Sequence, residues 1–312
     1  MRLLVTGGAG FIGSHFVRAV LADRLPGLAG ASITVLDNLA YAGSFANLAP
    51  VAESERLDFV PADMADDSVA GYAMRGHDAV IHFAGSRTGL DVHGAQVLLD
   101  AALTCEISRF IHISTGEVYG TIDTGAWTER SAVAPTTPRA AAKAGADLMA
   151  LAYHRTHGLP VVVTRGSDNY GPYQDPGRTV PGLVTALLEG RTARLHGDGT
   201  RVRDWLHVDD HCRGIALALL DGRPGEIYHI GGSVELADRD LAGMILAELG
   251  AGWDAIELTG NGKDQDHRHA LDDDKIRREL GWRPRVEFTA GLSATIRWYR
   301  ANPSWWRPLL PT

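Results

Sequence analysis

A chain of 312 residues, 45% hydrophobic and 22% charged, has the composition of an ordinary folded protein with room for one large core or two fused ones, which excludes a disordered chain. Its formal net charge of −8 argues against a nucleic-acid partner, because neutralising a phosphate backbone needs clustered Lys and Arg; a single anionic metabolite stays open. Two cysteines, Cys105 and Cys212, give neither a disulfide framework nor metal-ligand spacing, and no apolar run reaches the ~18 residues of a membrane span. The expectation is a cytoplasmic protein without metal, membrane or export signal, since the first residues open directly on a strand.

In chain order, short β-branched apolar runs fall at residues 2–6, 32–37, 57–61, 79–83, 109–114 and 161–165, with helical patterns between them. That alternation predicts an α/β fold, a Rossmann-type doubly wound parallel sheet covered by helices on both faces. From about residue 166 the alternation loosens into loops, a basic-acidic segment at 201–210, a strand at 226–230 and helices at 238–249 and 273–280. Residues 1–165 are therefore read as the dinucleotide-binding domain, and 166–312 as a smaller mixed α/β substrate-binding region, some of it returning to the first domain. The absence of repeats and linkers predicts that the two pack closely, and the aromatic-rich tail 298–306 is expected to lie on the body.

The segment LLVTGGAGFIG (3–13) places Gly7, Gly10 and Gly13 between the first strand and a helix. The first glycine supplies φ freedom in the turn, the second lets the backbone approach a pyrophosphate, and the third brings helix and strand together. The phosphates then meet the positive end of the helix and its free N–H groups, which begin at Phe11 and Ile12. At the end of the second strand, Asp37, followed by Asn38, suits both hydroxyls of an adenosine ribose and repels a 2′-phosphate, so the cofactor expected is NAD, not NADP. Asp63, with Met64 after it, is placed either at the adenine edge or in a solvated loop. Phe83 and Ala84 are expected on the nicotinamide side.

The blocks GGAGFIGSH (7–15), LDNLAYAG (36–43), HFAG (82–85), STGEVYG (114–120), NYGPYQ (169–174), GDGTRVRDWLHVDDHCRGI (197–215), YHIGG (228–232) and HRHALDDDKIRRELGW (267–282) run the length of the chain. In their order the chain resembles the dTDP-glucose 4,6-dehydratases of the extended short-chain dehydrogenase/reductase (NAD-dependent epimerase/dehydratase) family. The resemblance implies oxidation of a nucleotide-bound hexose at C4 by tightly held NAD, loss of water across C5–C6, and return of hydride to C6. It also implies a homodimer through paired helices. Ala141, Ala144, Leu148, Leu151 and Ala152 keep the apolar face for it, although the same face serves equally as core.

Against that pattern the catalytic segment departs. The family's lysine is matched by Lys143, expected to hold the nicotinamide ribose, but the tyrosine four residues before it is replaced by Arg139, whose guanidinium stays protonated and accepts no proton. The Thr-Asp-Glu triplet reads Thr115, Gly116, Glu117, without the aspartate that protonates the leaving hydroxyl. The segment GSRTGLD (85–91) is shorter than in relatives, with Asp91 at an asparagine position. Asn169, Arg203 and Arg268 match positions near the diphosphate, His229 stands where some relatives carry asparagine, and Asp168 replaces an asparagine, facing either the diphosphate or solvent. The expectation is a repurposed family enzyme of secondary metabolism, a lyase or isomerase rather than a net oxidoreductase. It would act on a small molecule such as a dTDP- or UDP-sugar, with Thr115, Glu117, Arg139, Lys143 and His207 as its polar groups, and would not run the standard dehydration. The alternatives are a catalytically silent NAD- and nucleotide-sugar-binding homologue, and a non-redox isomerase, lyase or cyclase on a non-sugar metabolite.

Overall fold

The computed structural model describes residues 1–40, 43–85, 91–232, 234–260 and 267–310. Apolar runs and helical patterns alternate as β1 (Arg2–Thr6), α1 (Phe11–Leu21), β2 (Ser32–Leu36), β3 (Leu57–Val60), α2 (Asp67–Met74), β4 (Ala79–His82), α3 (Asp91–Thr104), β5 (Arg109–Thr115), α4 (Pro138–His157) and β6 (Val161–Gly166). Then follow β7 (Asp168–Tyr170), α5 (Thr179–Leu188), β8 (Ala193–His196), β9 (Val202–His207), α6 (Val208–Asp221), β10 (Ile227–Ile230), β11 (Val234–Ala237), α7 (Asp238–Leu249), β12 (Ile256–Thr259), α8 (Asp274–Leu280), α9 (Phe288–Ala301) and α10 (Pro303–Trp306).

Seven strands make one parallel sheet in the order β10-β6-β5-β4-β1-β2-β3, the Rossmann-type arrangement that the run spacing predicts. The chain winds outward from β1 to β3, then crosses back to β4 on the other side of β1. A crevice opens at that reversal, beyond the carboxyl ends of the strands. Strands such as β4 and β6 are buried at every residue, which is why they read as continuous apolar runs without alternation. One face of the sheet packs on α1 and α6 through Phe16, Val20, Ile215 and Leu219; the other packs on α2, α3 and α4 through Met74, Leu98, Ala150 and Leu151. A third core, around Val184, Ile245 and Ile296, joins α5, α7 and α9.

Beneath α4 lies a buried ionic group. Arg165 Nε donates to Asp147 Oδ2 at 2.9 Å, and His112 Nε2 stands 3.1 Å from Asp147 Oδ1. Burial alone would raise the Asp147 pKa, but the His112 and Arg165 partners outweigh it and hold the carboxyl below its usual range. The tail packs as expected: Trp306 is buried, Trp298 meets Tyr173 with centroids 4.4 Å apart, and Trp305 Nε1 donates to Asn47 Oδ1 at 3.0 Å. On α4, Ala144 and Leu151 are buried while Leu148 is 52% exposed. Among the described residues no helix is long and apolar enough to cross a membrane.

Candidate active site

The crevice is a cleft of about 720 Å³ that runs from the β1–α1 turn to β9. At Gly7 the backbone has φ +71°, and a Cβ there would sit 2.6 Å from Ala84 N across the sheet reversal. A Cβ at Gly13 would sit 2.3 Å from Gly7 O, whereas one at Gly10 would meet only Gly7 O, at 3.3 Å. The turn is thus closed behind and open toward the cleft. Gly10 precedes α1 with no side-chain cap, so the N–H groups of the first turn, at Phe11, Ile12 and Gly13, have no partner within the helix and line the cleft. This arrangement fits a pyrophosphate.

Asp37 lines the cleft next to this turn, its Oδ2 accepting from Ala9 N at 3.0 Å and its Oδ1 from Leu39 N at 2.9 Å. Burial pushes its carboxyl above the ordinary value, with the two N–H groups acting against the rise. Asn38 Nδ2 donates to Asp63 Oδ2 at 2.9 Å, and Asp63 Oδ1 accepts from Ala65 N at 2.9 Å, which ties the ends of β2 and β3 together beside Met64. Phe83 and Ala84 line the middle, where Ala84 O accepts from Lys143 Nζ at 3.2 Å.

Thr137 starts α4, its Oγ1 accepting from Ala140 N at 3.1 Å, and Pro138 fills the first helical position. Arg139 and Lys143 follow one helical turn apart on the same face and both line the cleft. Opposite them, Thr115 Oγ1 accepts from Glu117 N at 3.2 Å and shapes the turn after β5. Arg139 Nη1 stands 3.9 Å from Glu117 Oε2, both side chains partly exposed. At Gly116, between Thr115 and Glu117, a Cβ would lie 3.2 and 3.3 Å from the two terminal carbons of Leu271, so the space next to it is already filled.

At the far end, Asn169 lines the cleft with its amide tied down: Nδ2 donates to Ser167 O at 2.8 Å, and Oδ1 faces His211 Nδ1 at 3.0 Å. Burial pushes His211 down to about 4, so its ring is neutral. Arg203 lines the cleft, with Nη1 donating to Val202 O at 2.8 Å and Nε 3.7 Å from Asp168 Oδ2. Asp168 therefore faces the cleft. Two further expected substrate residues do not line it. His229 is buried, its Nε2 2.7 Å from Tyr119 Oη and its Nδ1 2.9 Å from Asp272 O, and burial pushes it down to about 3. Arg268 is engaged by Glu235 at 2.6 and 2.8 Å and donates to Gly125 O at 2.9 Å. His207 is likewise occupied, Nδ1 accepting from Asp209 N at 3.2 Å with the ring against Tyr170. Residues 86–90 and the side chain of Asp91 lie outside the described residues. The cleft also brings in Arg178, Arg201 and His269, which the motifs had not singled out.

Residues 4–295 match the family model of GDP-mannose 4,6 dehydratase. The chain belongs to that family. It is 51% identical over 322 residues to the dTDP-glucose 4,6-dehydratase of Streptomyces niveus, covering 99% of this chain and 96% of that one. The structure of DesIV, a dTDP-glucose 4,6-dehydratase from Streptomyces venezuelae with NAD and TYD bound, superposes with a TM-score of 0.97 at 52% identity over 99% of this chain and 100% of that one. The UDP-glucose 4-epimerase of Thermotoga maritima, solved with UDP-glucose, gives 0.88 at 28% identity over 97% and 100%. In this nucleotide-sugar dehydratase family member, the glycine turn and Asp37 line one end of the cleft, and Glu117, Arg139 and Lys143 also line it.

Proposed function

We propose that this protein is an NAD-dependent family enzyme of secondary metabolism, cytoplasmic and homodimeric. It binds a thymidine- or uridine-diphosphate sugar and does not run the standard dehydration of dTDP-glucose. One observation carries the reading: the group at position 139, one helical turn before Lys143, is a guanidinium set 3.9 Å from Glu117, with Gly116 bare beside them. A guanidinium offers only N–H donors and cannot take the proton from a sugar hydroxyl, and a glycine cannot return one to a leaving group.

Bound NAD supplies a hydride acceptor and donor. The chain's own residues do the rest. Gly10 to Gly13 receive the pyrophosphate, Asp37 holds the adenosine ribose, and Arg203, with Arg178 and Arg201, draws the substrate diphosphate to the far end. Lys143 orients the reacting end from beside Ala84. Glu117 is a proton acceptor, and Arg139 stabilises negative charge as it develops. Calorimetry with NAD, with dTDP and with UDP, followed by incubation with dTDP-glucose, tests the reading. Binding of NAD and of at least one of the two nucleoside diphosphates without formation of a 4-keto sugar is the expected result; turnover at a rate typical of the family, or no affinity for either dTDP or UDP, overturns it.

A further inference from the structure

We propose that Arg139 is a specificity-determining residue which receives a carboxylate, so that the sugar nucleotide taken by this cleft is a uronate, acidic at C6; this deepens the reading above and rests on it.

Arg139 is the second residue of α4, and its guanidinium lines the cleft with 42% of the side chain exposed. Its Nη1 stands 3.9 Å from Glu117 Oε2, an ion pair beyond hydrogen-bond range. Among the described residues the N–H groups of this fork meet no hydrogen-bond acceptor. The charge does nothing for the helix itself, because the dipole disfavours a cation in the first turn and the first turn of α4 holds no acidic residue to offset it. Nor is it a solvated charge on the outer surface, since it lines the cleft together with Lys143.

The two departures from the family pattern act in one direction. Arg139 in place of a tyrosine adds one positive charge, and Gly116 in place of an aspartate removes one negative charge, so the catalytic segment is two charges more positive than the pattern it resembles. Of the charged side chains that the turn after β5 and the start of α4 bring to the cleft, Arg139 and Lys143 are positive and Glu117 is negative, which leaves one positive charge over. A neutral hexose does not answer that charge, whereas a sugar with one negative group does. The substrate diphosphate has its own partners, Arg203 of β9 with Arg178 and Arg201, and Asp168 stands 3.7 Å from both Arg203 and His269.

The shape of the group selects a carboxylate. A guanidinium is planar and offers parallel N–H groups at the spacing of two carboxylate oxygens, and the resulting bonds are charge-assisted on both sides. Glu117 approaches through Nη1, and the fork has further donors for a second carboxylate. In a hexopyranose joined to a diphosphate at C1, the exocyclic C6 is the carbon that carries a carboxylate without opening the ring. A nucleoside-diphosphate uronate therefore fits both ends of the cleft.

Titration calorimetry of the NAD-loaded protein tests this, with UDP-glucuronate against UDP-glucose and dTDP-glucuronate against dTDP-glucose as probes. The readout is the ratio of the two affinities within each pair, which a general disturbance of the fold or of the diphosphate contacts does not move. Wild type is expected to bind the uronate about 10–10²-fold more tightly, the range for charge-assisted hydrogen bonds to a partly exposed partner. Arg139→Gln brings the ratio to about one, while Arg139→Lys, which keeps the charge but loses the fork, retains part of it. Glu117→Gln raises the ratio, because it removes the competing carboxylate. A wild-type ratio near one, binding of dTDP or UDP but of neither uronate, a preference that survives Arg139→Gln, or an equal loss of both sugars in the two Arg139 variants overturns the assignment of Arg139 and leaves the nucleotide-sugar site standing. No affinity for either dTDP or UDP overturns both.

Discussion

Replacing Asp37 isolates cofactor choice from everything else in the cleft. An ionised carboxylate offers about four lone-pair directions. Two are taken by Ala9 N and Leu39 N, at 3.0 and 2.9 Å, which leaves two for a pair of ribose hydroxyls. Hydrogen bonds to a charged group contribute about 1.5–3 kcal/mol each at most, and the two share one partially buried acceptor. Asp37→Ala is therefore expected to weaken NAD binding by about 1–3 kcal/mol in all, or about 5–150-fold in Kd. A 2′-phosphate in the same place would face the carboxylate at ~4 Å, where repulsion near a protein surface reaches about 4 kcal/mol per unit charge. Wild type should thus prefer NAD over NADP by about 10²–10³-fold, and Asp37→Asn should erase most of that preference while keeping one of the two backbone contacts, since an amide has a single acceptor oxygen. Titration calorimetry of both cofactors against the three proteins measures it. Equal wild-type affinity for NAD and NADP would refute the assignment of Asp37.

Restoring a dehydratase-like pair by Arg139→Tyr with Gly116→Asp is expected to yield no turnover of dTDP-glucose, since the new Cβ meets Leu271 at 3.2 Å and overpacking of this kind costs about 1–3 kcal/mol besides misplacing the carboxyl; robust 4-keto sugar from the double variant would indicate an eroded dehydratase instead. Asp147→Asn strands the buried Arg165 guanidinium and should lower stability by about 3–5 kcal/mol in urea unfolding, so a loss under 1 kcal/mol would show that the pair is replaceable. Stability should also fall on the acid side. Burial lowers His211 to about 4 and His229 to about 3, so below the unfolded value of 6.5 the unfolded chain binds protons that the folded one refuses, at up to about 1.4 kcal/mol per pH unit for each ring. Asp204, raised by burial to about 6, works in the opposite direction between its unfolded value of 3.8 and pH 6, since there the folded state holds the extra proton. His229→Gln should flatten the decline of Tm below pH 6; an unchanged slope would contradict the assignment of that ring.

The sheet and the geometry of the glycine turn and Asp37 were legible in the sequence because their determinants are local. A glycine turn between a strand and a helix, and a carboxylate at the next strand end, keep their geometry wherever the strands are adjacent, and β1 and β2 pair in register along their whole length. The far end depends on longer-range pairing. Whether Asp168 faces the cleft is decided when β7 joins β9 and the segment after residue 267 lies along Val202, which brings His269 to it. Neither residue advertises this in its own motif. His229 and Arg268 occupy positions that the resemblance associates with substrate, but a matched position carries no direction: one side chain turns to Tyr119 and the other to Glu235. The spacing of Arg139 and Lys143 was enough to place both on one face of α4, because four residues make about one helical turn.

The central claim is that the group at position 139 cannot begin the standard reaction. Stoichiometric NAD-loaded protein mixed with dTDP-glucose labelled with ¹³C at C4, and followed by NMR, tests it with no need for rapid turnover. The account predicts that the nucleotide sugar binds and that its C4 resonance stays that of an alcohol carbon. A C4 carbonyl forming in amounts comparable to the protein would contradict it.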